Sequence, residues 1–298
     1  MTTAFIFPGQ GGQFVGQGQA WAREDESLKE LFQLAETISG LPLTRLCFKG
    51  PQEELSKTVN LQPAILTVSL AALRRMKARG LTPDFAAGHS LGEYGALVAA
   101  EVFDERTALE LVTRRAALMD QTAAKNPGAM TAVIGLPETE VARICELARH
   151  EGPLVMANFN TPEQIVISGE ARAVAAAAKY IKLKNGRAIP LPVSGAFHSE
   201  LMAEAGTAFA AELEKVAFNQ PLCPVAPNSS GRPTSDPAEL KTRLVSQITS
   251  PVHWTQTVEN LLAGGVTTFV EAWPKLYLGS LVKKCLPQGS PATVAFQD

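Results

Sequence analysis

A single serine lies between two glycines in the segment GHSLGEYGAL, residues 88–97. An apolar run precedes the segment and a helix-forming run follows it, so the sequence predicts a strand-to-helix turn around Ser90. Such a G-x-S-x-G turn pushes the serine hydroxyl outward, beside the N–H groups of the helix N-terminus, as a nucleophilic serine requires. The alternative is a serine that only caps the helix.

A serine nucleophile needs a base at neutral pH, and histidine is the usual one. The four histidines are His89, His150, His198 and His253. His89 adjoins Ser90 at a tight turn where neighbouring side chains diverge, so we expect it to form a wall of the site. His198 follows a predicted strand on a loop and is the candidate base, with a structural histidine that binds a loop carbonyl as the alternative. No acidic residue identifies itself as the third member of a triad.

The N-terminal segment FPGQGGQ, residues 7–13, is a second glycine-rich turn. It lacks both the G-K-[ST] ending of a phosphate loop and the G-x-G-x-x-G spacing of a dinucleotide site. From the residues alone, it is a tight turn with Gln10 and Gln13 in solvent.

Composition excludes several classes of function. The chain has 298 residues, 46% of them hydrophobic, so it can bury a sizeable core. Its 27 basic and 29 acidic residues leave a net charge of −2, which argues against nucleic acid or an anionic membrane as the main partner. The four cysteines lie far apart without C-x-x-C spacing, which argues against disulfides or a zinc site. No secretion signal or membrane span is recognisable, so we expect a cytoplasmic protein without a bound metal.

Short apolar runs alternate with helical patterns, which is typical of an α/β protein. Outside the middle of the chain, strands are predicted at 4–7, 85–87 and 267–270. Helices are predicted there at 28–39, 62–79, 91–100, 106–121, 207–216, 237–249, 256–263 and 276–284. Within the middle, strands at 130–136, 154–158, 164–168 and 187–193 and helices at 138–150 and 171–183 follow the order βαββαβ.

The sequence therefore predicts two subdomains. The large one, residues 1–128 and 195–298, has an α/β-hydrolase-like parallel sheet and a nucleophile elbow. The small one, residues 129–194, is ferredoxin-like and inserted into the large one.

Seven segments together carry a resemblance to a known family. They are FPGQGGQ at 7–13, LQPAI at 61–65, GHSLGEY at 88–94, R-x-x-x-M at 115–119, NFNTPEQIVISG at 158–169, PVSGAFHS at 192–199 and QITSPVHW at 247–254. In this order, over nearly the whole chain, the sequence resembles the malonyl-CoA:acyl carrier protein transacylases of bacterial fatty-acid synthesis and the related acyltransferase domains of polyketide synthases.

The resemblance implies a ping-pong acyl transfer through a malonyl ester of Ser90, with His198 as the base. It also implies that the backbone carbonyl of Gln247 orients His198, which would explain the missing acid. The oxyanion hole would consist of the backbone N–H groups of Gln10 and Leu91, so the N-terminal turn acquires a purpose.

The resemblance further assigns four side chains to the substrate. Arg115 would bind the free malonyl carboxylate, and its planar guanidinium suits that bidentate pairing. Phe197 would crowd an α-methyl branch and so favour malonyl over methylmalonyl, with core packing as the alternative. Gln62 and Asn160 would line the site, with solvated turn residues as the alternative. The implied partners are malonyl-CoA and a holo acyl carrier protein, with no cofactor, and we expect a monomer.

One departure from the family bears on the site. Where relatives usually have GPGKVL, this chain has WPKLYL at residues 273–278. The resemblance therefore does not predict the shape of that loop. Three further functions remain as alternatives: an acyl hydrolase using the same Ser–His dyad, a trans-acting acyltransferase of a polyketide pathway, and a non-catalytic binder of carrier proteins.

Overall fold

The computed structural model describes residues 1–296, so Gln297 and Asp298 of the predicted large subdomain lie outside the described residues. The strands are β1 (Thr3–Phe7), β2 (Phe85–Gly88), β3 (Ala129–Ile134), β4 (Leu154–Thr161), β5 (Gln164–Gly169), β6 (Arg187–Pro190), β7 (Val225–Ala226), β8 (Thr268–Glu271) and β9 (Thr293–Phe296). The helices are α1 (Gln19–Glu24), α2 (Glu26–Ser39), α3 (Leu43–Lys49), α4 (Gln52–Leu55), α5 (Thr58–Ala78), α6 (Gly92–Ala99), α7 (Glu105–Lys125), α8 (Glu138–Ala148), α9 (Ala171–Leu183), α10 (Ala203–Leu213), α11 (Pro237–Ser246), α12 (Trp254–Ala263) and α13 (Leu278–Cys285).

Strand β1 is the centre of a parallel sheet with the strand order β7-β2-β1-β8-β9. Residues 4–7 of this strand are apolar and fully buried because helices cover both faces of the sheet. Phe5 and Phe7 pack with α2, α5 and α7 on one face, and Ala4 and Ile6 pack with α12 and α13 on the other. The carboxyl ends of β1, β2 and β8 therefore meet at one edge, where open α/β sheets bind their ligands.

The second sheet is antiparallel, with the strand order β4-β5-β3-β6. Helices α8 and α9 cover one of its faces and bury Val141 and Ala177 with Ile165 and Ile167. The small alanine side chains of α9 allow the helix to approach the sheet closely. The order β3-α8-β4-β5-α9-β6 matches the predicted βαββαβ unit, and the two sheets together confirm the predicted fold class.

The structure differs from the predicted elements at several places. Strand β6 ends at Pro190 rather than at Val193, because Pro190 and Pro192 have no N–H to donate to a neighbouring strand. The sequence did not predict the short elements α1, α3, α4, β7 and β9. Each is six residues or shorter apart from α3, so none shows enough turns or alternations to stand out in a sequence pattern.

Backbone hydrogen bonds join the two subdomains near the candidate site. The Val252 N–H donates to the Ala157 carbonyl at 2.9 Å, and the Phe159 N–H donates to the Val252 carbonyl at 2.9 Å. The segment that follows α11 therefore lies along β4 of the small sheet. Within residues 1–296, no helix has the length and apolar character needed to cross a membrane.

Candidate active site

Ser90 lies on the sharp turn between β2 and α6. Its φ of 50° lies in the left-handed region, which is strained for a residue other than glycine. A residue keeps such a conformation only when surrounding contacts fix its backbone. Asn228 holds the turn at two points: its Oδ1 accepts the Ser90 N–H at 2.5 Å, and its Nδ2 donates to the Gly88 carbonyl at 2.6 Å. The predicted strand, turn and helix around Ser90 are thus present, and a side chain distant in sequence fixes them.

Ser90 and His198 form a hydrogen-bonded pair. The Ser90 Oγ lies 2.8 Å from His198 Nε2, and His198 Nδ1 lies 3.1 Å from the Gln247 carbonyl and 3.1 Å from the Ser250 carbonyl. Carbonyl oxygens only accept hydrogen bonds, so Nδ1 carries the proton of the neutral ring and Nε2 is available as a base. The Gln247 carbonyl lies where the family resemblance implied, and the Ser250 carbonyl is an additional partner that the sequence did not reveal.

The surroundings of His198 keep its ring neutral. Burial is the largest of three causes that together lower the pKa of His198 to about 3, and the positive charge of Arg115 and the proximity of His89 are the other two. Because that pKa is far below neutrality, Nε2 is unprotonated in the free protein and can accept the proton of Ser90.

The other histidines do not act on the serine hydroxyl. His89 Nε2 lies 2.8 Å from Asn160 Oδ1, and its ring packs edge-on against Trp254. His89 is therefore a wall residue, in the position expected from the divergence at the turn. His150 binds a backbone carbonyl at the end of α8, and His253 stacks on a phenylalanine ring.

Arg115 is buried beside the dyad and lacks an acidic partner. Its Nη1 donates to Gln62 Oε1 at 2.6 Å, and its Nη2 donates to Gln247 Oε1 at 3.1 Å and to Ser90 Oγ at 3.2 Å. Its Nε–H has no hydrogen-bond partner, and no carboxylate among residues 1–296 forms an ion pair with it. A buried guanidinium without an ion-pair partner is costly, so this arrangement is suited to an anionic ligand.

Two backbone N–H groups are available next to the serine. Neither the Gln10 N–H nor the Leu91 N–H donates to an acceptor in the described part of the chain. The N-terminal turn lies directly against the elbow, because a Cβ added at Gly9 would collide with the His89 carbonyl oxygen. An oxyanion beside Ser90 could therefore accept hydrogen bonds from both N–H groups.

Glu93 is a buried carboxylate that the sequence analysis overlooked. It is 1% exposed, and its Oε2 accepts the Gln247 Nε2–H at 2.8 Å and the Asn228 N–H at 3.0 Å. Burial raises the pKa of Glu93 to about 7. A signal was present, since Glu93 is the acidic residue inside an otherwise apolar helix. Gln247 Nε2 also donates to the Ser90 carbonyl at 3.0 Å, so its side chain, as well as its carbonyl, belongs to the site.

A cavity of about 490 Å³ opens between the two sheets and contains the dyad. The predicted site residues that line it are Gln10, Gln62, Ser90, Leu91, Arg115, Asn160, Phe197 and His198. Gln247 does not line the cavity but contacts His198 and Arg115 from behind. Phe197 is 5% exposed, and Ser168 Oγ holds its carbonyl at 2.7 Å. Within residues 1–296, no group of three or more His, Cys, Asp or Glu residues is placed to hold a metal ion.

Comparison with known proteins gives consistent matches over almost the entire chain. Residues 4–295 match the acyl transferase domain family. A malonyl CoA-acyl carrier protein transacylase of Bacillus subtilis strain 168 is 43% identical over 284 residues, which cover 94% of this chain and 89% of that protein.

Solved structures agree with these sequence matches. An acyl-carrier-protein-S-malonyltransferase from Bartonella henselae superposes with a TM-score of 0.95 at 37% identity, covering 100% of this chain and 96% of that one. A malonyl-transacylase in complex with its type II polyketide synthase acyl-carrier protein superposes with a TM-score of 0.94 at 36% identity, with coverage of 100% and 96%.

Proposed function

The chain belongs to the acyl transferase domain family, and we propose that it transfers the malonyl group of malonyl-CoA to the phosphopantetheine thiol of a holo acyl carrier protein. The observation that carries this proposal is the buried Arg115 guanidinium, which has no acidic partner among the described residues and donates to the oxygen of the Ser90–His198 pair. A substrate with a carboxylate next to a reactive carbonyl matches both features.

The first half-reaction forms an ester of Ser90. His198 Nε2 takes the Ser90 hydroxyl proton while Oγ attacks the thioester carbonyl carbon of malonyl-CoA. The Gln10 and Leu91 N–H groups bind the negative charge that develops on the carbonyl oxygen. The carbon–sulfur bond then breaks, the sulfur of coenzyme A takes the proton from His198, and the malonyl group stays on Ser90.

The second half-reaction reverses these steps with a different thiol. The phosphopantetheine thiol gives its proton to His198 and attacks the ester carbonyl carbon. The bond from carbon to Ser90 Oγ breaks, and Oγ recovers the proton from His198. The same groups serve both halves because each half exchanges an ester and a thioester.

Arg115 selects the acyl group. A malonyl carboxylate pairs with the guanidinium through charge-assisted hydrogen bonds, each worth about 1.5 to 3 kcal/mol. An acetyl group or a longer neutral acyl chain leaves the same buried charge unpaired. Gln62 and Gln247 hold the guanidinium from the other side, so it is oriented before the substrate binds.

The setting of the reaction is also part of the proposal. The dyad, the two N–H donors and the guanidinium supply every group that the transfer uses, so we assign no cofactor. Cys47, Cys145, Cys223 and Cys285 are buried and unpaired, which is in keeping with a reducing cytoplasm. We propose that the protein acts there as a monomer. We further propose that it serves fatty-acid synthesis, as the family resemblance implies.

Intact-protein mass spectrometry with malonyl-CoA, followed by a holo acyl carrier protein, tests the transfer. We expect a malonyl adduct on Ser90 that persists in buffer and moves to the carrier thiol, and no adduct on the Ser90→Ala variant. An adduct that decays to malonate without the carrier would favour the hydrolase, and no adduct on the wild type would contradict the mechanism. Transfer to polyketide but not to fatty-acid carrier proteins would move the enzyme to the polyketide pathway.

The neighbouring arginine provides a matched control for acyl selection. Arg115→Ala should lower kcat/KM for malonyl-CoA about 10- to 100-fold and leave that for acetyl-CoA unchanged or higher. Arg114 is half-exposed and pairs with Glu212 at the surface, so Arg114→Ala should change neither value. Equal effects of the two variants would remove Arg115 from the carboxylate site.

A further inference from the structure

The WPKLYL segment, residues 273–278, lies against the N-terminal glycine-rich turn. Strands β1 and β8 are parallel neighbours with Ile6 in register with Glu271, so the loops after the two strands leave the sheet side by side. Glu271 is fully buried, and its carboxylate accepts the N–H groups of Tyr277, Leu278 and Gly279 at 2.7 to 2.9 Å. This carboxylate fixes the backbone of the loop at the point where helix α13 begins.

Tyr277 reaches from that fixed backbone onto the turn. Its hydroxyl donates to the Gln10 carbonyl at 3.2 Å, and its ring covers the two glycines that follow. A Cβ added at Gly11 would collide with the Tyr277 hydroxyl, and one at Gly12 would lie 2.9 Å from the ring. The glycines therefore allow the tyrosine to lie directly on the backbone, where its hydroxyl can reach the carbonyl.

The peptide unit between Gln10 and Gly11 is held from both ends. Tyr277 binds its carbonyl oxygen, and Gln13 Oε1 accepts its N–H at 2.8 Å. Gln13 is itself tied by its Nε2, which donates to Ser56 Oγ at 3.3 Å. The next peptide unit toward the N-terminus carries the Gln10 N–H, so rotation of the held unit would move that donor.

A second contact joins the same two segments. The Lys275 ammonium lies 3.4 Å from the centre of the Phe14 ring, a cation–π contact immediately after the turn. Trp273 is fully buried beneath the loop. Two residues that depart from the usual GPGKVL therefore contact this part of the chain: Tyr277 binds Gln10 in the glycine-rich turn, and Lys275 contacts Phe14 just after it.

We propose that Tyr277 is a positioning residue for the oxyanion hole, which it serves by holding the Gln10 carbonyl so that the Gln10 N–H faces the thioester oxygen. Gln13 performs the same task from the other end of the peptide unit. This inference rests on the proposed acyl transfer, because it assigns a role in that reaction.

Rapid-quench measurement of malonyl-enzyme formation tests the proposal with Tyr277→Phe, which removes the hydroxyl and keeps the ring. At saturating malonyl-CoA, the acylation rate constant should fall about tenfold, less than the loss of a whole oxyanion donor. The concentration of malonyl-CoA that gives half the maximal rate should change less than about twofold, since the hydroxyl acts on the transition state. The rate constant is independent of the fraction of folded enzyme, which the amplitude reports.

Two further variants separate this role from general packing. Tyr180→Phe makes the same chemical change on a half-buried tyrosine of the small subdomain and should leave the rate constant unchanged. Gln13→Ala should slow acylation like Tyr277→Phe. The fold-decrease in the acylation rate constant of the double variant should be smaller than the product of the fold-decreases of the two single variants, because both side chains hold one peptide unit.

The outcomes distinguish this inference from the proposed function. A wild-type enzyme that forms no malonyl-Ser90 ester overturns both. A wild type that forms the ester, with Tyr277→Phe reacting equally fast, overturns only the positioning role. A change confined to the half-saturating concentration would make Tyr277 a contact for the substrate and would also overturn it, as would a fully multiplicative double variant.

Discussion

Replacing Glu93 with glutamine should make the protein progressively more stable than the wild type as the pH rises. Burial raises the pKa of Glu93 from 4.5 to about 7, so the folded protein keeps this proton to a higher pH than the unfolded chain does. The stability gained from the bound proton is complete below pH 4.5 and is lost as the pH rises through about 7. A glutamine at the same position never ionises and is spared this loss.

The size of the effect follows from that interval. Each pH unit between the unfolded and folded pKa values changes the free energy of unfolding by about 1.4 kcal/mol for one proton. The wild type should therefore lose roughly 3 kcal/mol from Glu93 across the interval. His198 has the opposite dependence, because its lowered pKa of about 3 removes stability as the pH falls below 6.5. It is present in both proteins, so the difference between them isolates Glu93.

Urea unfolding at a series of pH values from 4.5 to about 8 measures this difference. The free energy of unfolding of Glu93→Gln, minus that of the wild type, should rise by roughly 3 kcal/mol across the series. A glutamine oxygen can still accept from Gln247 and Asn228, and any constant cost of the amide appears only as an offset. Glu53→Gln, at an exposed position, is the control and should show no such rise. A difference that stays constant with pH would refute the burial argument for Glu93.

Three other perturbations have defined outcomes. Asn228→Ala removes both hydrogen bonds that hold the elbow and should lower the free energy of unfolding in urea by about 2 to 4 kcal/mol; a loss below about 0.5 kcal/mol would contradict its role as a support. The acylation rate constant should stay level as the pH is lowered through 6.5, because the pKa of His198 is about 3; a fall centred near 6.5 would show that the ring titrates normally. Phe197→Ser should raise the ratio of methylmalonyl to malonyl kcat/KM about tenfold, and an unchanged ratio would leave Phe197 with packing alone.

The features of the site that sequence could predict are local ones. Ser90 was identifiable because its glycines, strand and helix lie within a few residues of one another. The orienting carbonyl of Gln247 could be placed only through the family resemblance, since every residue has a carbonyl and its type carries no signal. Tyr277 and Asn228 were out of reach for another reason: they lie 267 and 138 residues from the backbone groups they bind. Such pairs arise from the order of strands in the sheet, which a single sequence does not determine.

The same limit applies to the fold. The alternation of apolar runs and helical patterns sufficed for the class because β1, α5 and α9 are long or apolar enough to show their period. Strand β9 could not be found in this way, because it is a four-residue edge strand with largely exposed side chains. Its partner, β8, defines it through parallel pairing rather than through any pattern of its own.

The use of carbonyls to orient His198 follows from the charge that the substrate brings. A triad carboxylate at Nδ1 would place a full negative charge close to Arg115, and the guanidinium would pair with it instead of remaining available to malonyl. The Gln247 and Ser250 carbonyls fix the same tautomer with partial charges only. Glu93 is subject to the same constraint, and burial raises its pKa to about 7. The Gln247 side chain lies between Glu93 and Arg115, where it donates to the Glu93 carboxylate and accepts from the Arg115 guanidinium. We therefore expect Arg115 to remain without an ion-pair partner until the malonyl carboxylate binds.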